Sequence, residues 1–217
     1  LALADAGGHK RQKAECLYDL GTMYQYQGEF RPAFDYALEA QELFQALHSR
    51  RGQIQSLNLM GNIYYGQGDY MESQEAYAAA LALTLEIGWH YAESTILINL
   101  GNNAFELGNF DDAQRYYVQS VELAQRTGDR AAESVALDSL GLTNHYQGHL
   151  AEARANLEAA CQIALDIHNT RNCGYSLTHL GFTLLELGQV EAAIAHFDHA
   201  LTLRRELGHE TAVIDTL

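Results

Sequence analysis

The sequence contains a single proline, Pro32, in 217 residues. Proline breaks helices and punctuates turns, so a fold of this size that manages with one is nearly all helical. The three cysteines, Cys16, Cys161 and Cys173, show no paired short spacing. That argues against a disulfide framework or a zinc site and predicts buried or free thiols in a reducing compartment, the cytoplasm. No run of about eighteen apolar residues occurs, and no charged segment with an apolar core opens the chain, so neither a membrane partner nor a signal peptide is expected. Cations are also scarce: Lys+Arg number 13 against 28 Asp+Glu, for a net charge of -15. A duplex-binding surface needs clustered cations to displace phosphate counterions, and only Lys10, Arg11 and Lys13 cluster, so direct nucleic-acid binding is not expected.

What is abundant is repetition. Leu-Gly or Met-Gly recurs at Gly21, Gly61, Gly101, Gly141 and Gly181, a period of 40 residues since 61 − 21 and each later difference give 40. Seven residues after each stands Gly28, Gly68, Gly108, Gly148 or Gly188, and four before stands a leucine every time. Twelve after comes a small residue (Ala33, Ser73, Ala113, Ala153, Ala193), and nineteen after another (Ala40, Ala80, Ser120, Ala160, Ala200). Periodicity of this kind marks an array of helix pairs, each too short to bury its own apolar face, that stack as a solenoid. Within one repeat Leu57, Met60 and Tyr64 form the expected core stripe of the first helix. Gly68 is its left-handed cap, and Asp69 with Glu72 reads as a capping box opening the second helix, as do Asn109 with Asp112 and His149 with Glu152.

The pattern L-x-x-L-G-x-x-Y, a turn glycine and A-x-x-x-[FY], clearest in LYDLGTMYQYQGEF and LNLMGNIYYGQGDY, resembles the tetratricopeptide repeat over essentially the whole chain. The period is longer than the common 34 residues and lacks its closing proline. It is similar to the long repeats of spindle-orientation adaptors, of kinesin light chain, and of bacterial signal-transduction ATPases such as the maltose-regulon activator. The resemblance implies an all-α, right-handed superhelical solenoid of five stacked pairs, a single domain over 1–217, with repeats near 10–48, 50–88, 90–128, 130–168 and 170–208. LALADAGGHK aligns with LALTLEIGWH, the end of a second helix, and Ile214 to Leu217 with the start of another first helix. The expectation is therefore a fragment of a larger protein with partial repeats at both ends, through which self-association is possible.

The resemblance also implies a concave wall built from the first helices. At 100° per residue, offsets -6, -3, +1, +4 and +5 from the Leu-Gly glycine fall on that wall. The candidate peptide-binding residues there are Tyr18, Gln25, Asn58, Asn62, Tyr65, Asn102, Phe105, Asp138 and His145, with Asn99 at the edge. None of these wall offsets holds lysine or arginine. A carboxylate clamp of the kind that grips acidic tails is excluded, because an anion needs charge-assisted donors. Amides that donate and accept, with aromatic rings beside them, fit the backbone and apolar side chains of an extended or helical guest. The expected ligand is a neutral-to-basic amphipathic protein or peptide segment. The alternative is an effector-sensing segment of a bacterial signalling or transcriptional regulator that takes a small ligand or pheromone peptide. Asn103 is expected to bond an adjacent helix and Asn109 to cap one.

No nucleophile stands beside a base and no phosphate-cradling glycine loop occurs, so no enzymatic activity is expected. His196 with His199 and His145 with His149 lack a third ligand, so no metal or cofactor is expected.

Overall fold

The computed structural model describes residues 2–206, with side chains from Gly8 onward. Ten α-helices make up the described chain, joined by short turns: α1 (Ala2–Tyr26), α2 (Phe30–Ala46), α3 (Arg50–Gln67), α4 (Tyr70–Ile87), α5 (His90–Glu106), α6 (Phe110–Thr127), α7 (Arg130–Tyr146), α8 (Leu150–Asp166), α9 (Thr170–Glu186) and α10 (Val190–Glu206). The expected all-α repeat of helix pairs is what forms. The chain divides into two compact units, Leu1–Leu107 and Gly108–Leu217. In the first, each of α1 to α4 packs on the helix that follows it, and α1, α3 and α5 also touch in succession. In the second, α6 to α10 pack in order, and α7 also touches α9.

The repeating small residues explain how the helices approach. All ten side chains at the two small-residue positions, from Ala33 and Ala40 to Ala193 and Ala200, have zero relative exposure. Serine substitutes where its hydroxyl finds a carbonyl: Ser73 Oγ donates to the Gly61 carbonyl oxygen at 3.0 Å. Gly61 is required by its neighbour, since a Cβ there would strike the ring of Tyr77, whose Cζ would lie 2.9 Å away. Around Leu59 and Ile63 the aliphatic core closes over Ala33 and Ala37, with Tyr18, Phe30 and Met60 packed on its edge. Each of those two buried side chains contributes about 2 kcal/mol of burial.

Several expectations are corrected. In α3 the deepest positions are Ile54, Leu59 and Ile63, whereas Leu57, Met60 and Tyr64 are half-buried. A helix with neighbours on two sides buries more than one stripe, and a single-stripe count misplaces the centre. The αL cap at Gly68 forms, with φ 83°. The capping boxes do not: Asp69, Asn109 and His149 stand at the N-cap positions but make no side-chain cap hydrogen bond. Caps form instead at the heads of first helices, where Ser49, Asp129 and Asn169 accept from the amides of Gly52, Ala132 and Asn172. Each contributes about 1 kcal/mol. At the same register α5 begins with Trp89, which has no side-chain cap.

The start of the chain differs too. Gly8 aligns with Gly88, which takes φ 66° and ends α4, yet α1 runs unbroken through Gly8. Continuing the helix satisfies those amides and carbonyls without a turn, and among the described residues no earlier helix packs there to demand one. Ile214 to Leu217 lie outside the described residues. Cys161 of α8 and Cys173 of α9, expected to be unrelated thiols, are joined as a disulfide with Cα atoms 4.1 Å apart, while Cys16 is free and exposed. The eleven intervening residues span one tight turn between packed helices, and that turn supplies the closeness that linear spacing hides.

Candidate functional site

Because first helices touch side by side, residues one repeat apart meet across them. In the first unit Asn99 Nδ2 donates to Asn58 Oδ1 at 2.9 Å and, at 3.4 Å, to Asn62 Oδ1. The Asn62 oxygen also accepts from the Tyr77 hydroxyl at 2.7 Å. Forty-one residues separate Asn58 from Asn99, and the same step joins the Tyr65 hydroxyl to Glu106 Oε1 at 3.1 Å. Burial, reinforced by that carboxylate, raises the Tyr65 phenol well above its usual range, so it stays a donor.

The second unit repeats both rungs with different chemistry. His179 Nδ1 lies 3.2 Å from Asp138 Oδ1, and His145 Nε2 lies 3.6 Å from Glu186 Oε1. The His145 Nδ1 also sits 3.2 Å from Thr183 Oγ1. Rungs at one register thus tie neighbouring first helices with amides in one unit and with imidazole–carboxylate pairs in the other.

All ten candidate residues are half-buried. Tyr18, Gln25, Asn58, Asn62, Tyr65, Asn99, Asn102 and Phe105 belong to the first unit, where α1, α3 and α5 carry them; Asp138 and His145 belong to the second, on α7. The structure brings Asn58, Asn62 and Asn99 together, and sets Tyr65 on Glu106 and Asp138 on His179. The oxygens of Asn58 and Asn62 are engaged within the chain, and their Nδ2 groups have no hydrogen-bond partner among the described residues. Asn103 donates to the Tyr70 carbonyl oxygen at 2.6 Å, the architectural role expected of it. Among the described residues no three His, Cys, Asp or Glu side chains converge as metal ligands. No described helix is long and apolar enough to cross a membrane.

Sequence reasoning passed over one feature of this face. A cavity of about 240 Å³ lies among Tyr18, Asn58 and Thr95, walled by Ile54, Ile96, Trp89 and Tyr91. Arg51 lies over the Trp89 ring, 5.3 Å from its centroid. The wall offsets cover only the middle of a first helix and leave out its N-terminal turn. The signal was still present: at the position of His9, Ser49, Asp129 and Asn169 stands the chain's one tryptophan.

Sequence models described as tetratricopeptide repeat match residues 52–126 and 92–166, and others of that description match 14–51 and 174–208. The chain belongs to the tetratricopeptide repeat family. No curated protein matches it. Among solved structures, this tetratricopeptide repeat chain is similar to BtubC (BKLC) from P. vanneervenii, at 21% identity and a TM-score of 0.77, over 96% of this chain and 93% of that one. It is also similar to a signal transduction ATPase with numerous domains carrying a tetratricopeptide repeat sensor, from Pyrococcus horikoshii, at 15% identity and TM-score 0.74 over 95% of this chain and 35% of that one. A third is the Rap conjugation gene regulator of the plasmid pLS20 in complex with the Phr* peptide, at 16% identity and TM-score 0.74 over 87% and 52% of the two chains. At these identities the likeness is one of fold.

Proposed function

We propose that this chain is a non-catalytic interaction scaffold whose first-helix face binds a protein or peptide segment by its backbone. The observation that carries this reading is the pair of amide donors left without a partner among the described residues: Asn58 and Asn62 spend their oxygens on internal rungs and keep their Nδ2 groups for a guest carbonyl. The Rap regulator, a fold relative, is solved with a peptide, which supports the same class of ligand. The wall positions of each unit oppose an acidic guest: Glu15 and Glu106 stand among those of the first and Asp138 and Glu186 among those of the second, and neither set holds lysine or arginine. A neutral-to-basic amphipathic segment fits, with Asn102 and Phe105 beside the rungs and Gln25 and His145 further along their own units.

A random-sequence peptide library panned on the chain tests this. Recovered peptides enriched in Lys, Arg and apolar residues, and weakened by Gln25→Ala, are the expected result. Peptides that bind the Gln25→Ala variant unchanged, or that are enriched in Asp and Glu, overturn it. The effector-sensor reading would gain ground only if panning failed while a small molecule protected amides of this face from hydrogen exchange.

A further inference from the structure

The cavity beside the amide rungs has a definite size and lining. A cavity of about 150 Å³ holds benzene, and pockets for whole drug-sized molecules run from about 300 Å³ upward. At about 240 Å³ this one suits a single aromatic side chain and is too small for an effector molecule. Its walls include the rings of Tyr18, Trp89 and Tyr91, with Asn58 and Thr95 as polar groups. No wall residue is charged. Arg51, which is not among the wall residues, is laid over the indole, so an ionised guest side chain would meet no wall counter-charge and an uncharged ring meets a matching one.

Trp89 also departs from its own repeat. Three of the equivalent positions hold side chains that cap the following helix, and here that cap is given up for a ring that walls the cavity. A residue that forgoes a local stabilising role in one repeat, at the mouth of one pocket, is placed for something other than the fold.

We infer that this cavity is the anchor seat for one aromatic side chain of the bound segment, with Asn58 Nδ2 donating to a backbone carbonyl next to that residue. The inference rests on the reading that this face takes a peptide, but it can be tested apart from it.

The probe is N-acetyl-phenylalaninamide, titrated into the isotope-labelled full chain, with N-acetyl-aspartamide as the charged control. The chain's single tryptophan gives one indole Nε1–H resonance and one fluorescence signal, so the readout has no ambiguity. Saturable shifts of that resonance and of the amides of residues 54–58 and 91–96, with the phenylalanine probe only, are expected. Thr95→Phe, an enlargement at an exposed wall position that leaves the core alone, weakens the response about tenfold. Shifts that do not saturate, that are equal for both probes, or that persist unchanged in Thr95→Phe overturn the pocket. If panned peptides bind wild type and Thr95→Phe alike, the anchor fails while the scaffold reading stands. If panning recovers nothing and the fragment still saturates at Trp89, the scaffold reading fails and the aromatic pocket stands.

Discussion

Replacing glycine by alanine inside a helix should change stability with opposite sign at Gly61 and Gly174. At Gly61 a Cβ would press against one edge of the Tyr77 ring, 2.5 Å from Cδ1 and 2.9 Å from Cζ, and Tyr77 is among the largest fully enclosed side chains of the first unit. The ring has nowhere to go without leaving the core, an overpacking that costs about 1–3 kcal/mol. Displacing it also breaks the hydroxyl's 2.7 Å bond to Asn62, worth about 1 kcal/mol. Alanine recovers about 1 kcal/mol of helix propensity, so Gly61→Ala is net destabilising by about 2 kcal/mol. At Gly174 the nearest atoms to a new Cβ are Arg204 Cγ and Nε, both at 3.8 Å, an ordinary contact. There the propensity gain stands almost alone, and Gly174→Ala stabilises by about 1 kcal/mol. Repeat arrays do not always unfold in one step, so the assay is urea denaturation followed by circular dichroism together with hydrogen exchange of α3 and α9 amides. Pairing Gly61→Ala with Tyr77→Ala must remove most of the Gly61 penalty, because the ring it collides with is gone. A neutral Gly61→Ala, or a Gly174→Ala as damaging as Gly61→Ala, refutes the packing argument.

Thiol titration in denaturant is expected to find one reactive group, Cys16, before reduction and three after it; three at the outset would dismiss the Cys161–Cys173 pairing. Burial raises the phenols of Tyr18, Tyr65 and Tyr77 above their ordinary value. The folded state then keeps protons the unfolded chain sheds above about pH 10, so the stabilisation is complete below pH 10 and falls as pH rises beyond it; Tyr77→Phe should flatten that fall in urea midpoints measured from pH 8 upward. Trp89→Asn restores a capping side chain and should raise stability by up to about 1 kcal/mol, less what the Arg51 stacking contributes, while abolishing the fragment response; a loss of stability would mean the indole's packing outweighs the cap.

The architecture was legible because a fixed period converts each position into a packing environment. The small residues twelve and nineteen past each Leu-Gly lie against a neighbouring helix in every repeat, and nothing larger fits. Features that depend on which particular neighbour is met were less legible. Cys161 and Cys173 are twelve apart in sequence and bonded only because one tight turn folds α9 back on α8. Gly8 copies Gly88 in sequence, yet α1 continues through it where α4 stops. Asp69 and Asp129 are the same residue type before a helix, yet only Asp129 accepts from the helix amides, and residue type alone does not tell them apart. Angle singles out the asparagine positions, yet it does not tell that Asn58 and Asn62 turn their oxygens to Asn99 and Tyr77 and leave their Nδ2 groups without a partner among the described residues. Trp89 stands outside the wall offsets because it precedes α5, and those offsets begin further along the helix.

The two versions of the rungs show how such a face is divided between structure and recognition. Asn58–Asn99 and Asp138–His179 occupy one register, and Tyr65–Glu106 and His145–Glu186 another, so the spacing of first helices admits a bond there without fixing its chemistry, and between α1 and α3 the same two positions hold Leu59 and Gly66 and carry none. What a rung contributes to the helices is its existence; what it can contribute to a guest is the atom left over. An asparagine rung leaves an uncharged donor whatever the pH, whereas an imidazole–carboxylate rung changes charge with one proton. It follows that substituting Asn62 is a poor test of binding, since it strips Tyr77 and Asn99 of an acceptor as well as removing the donor. The residues that separate recognition from stability are those whose loss breaks no rung, and on the first-helix face of the first unit Gln25 and Thr95 meet that condition.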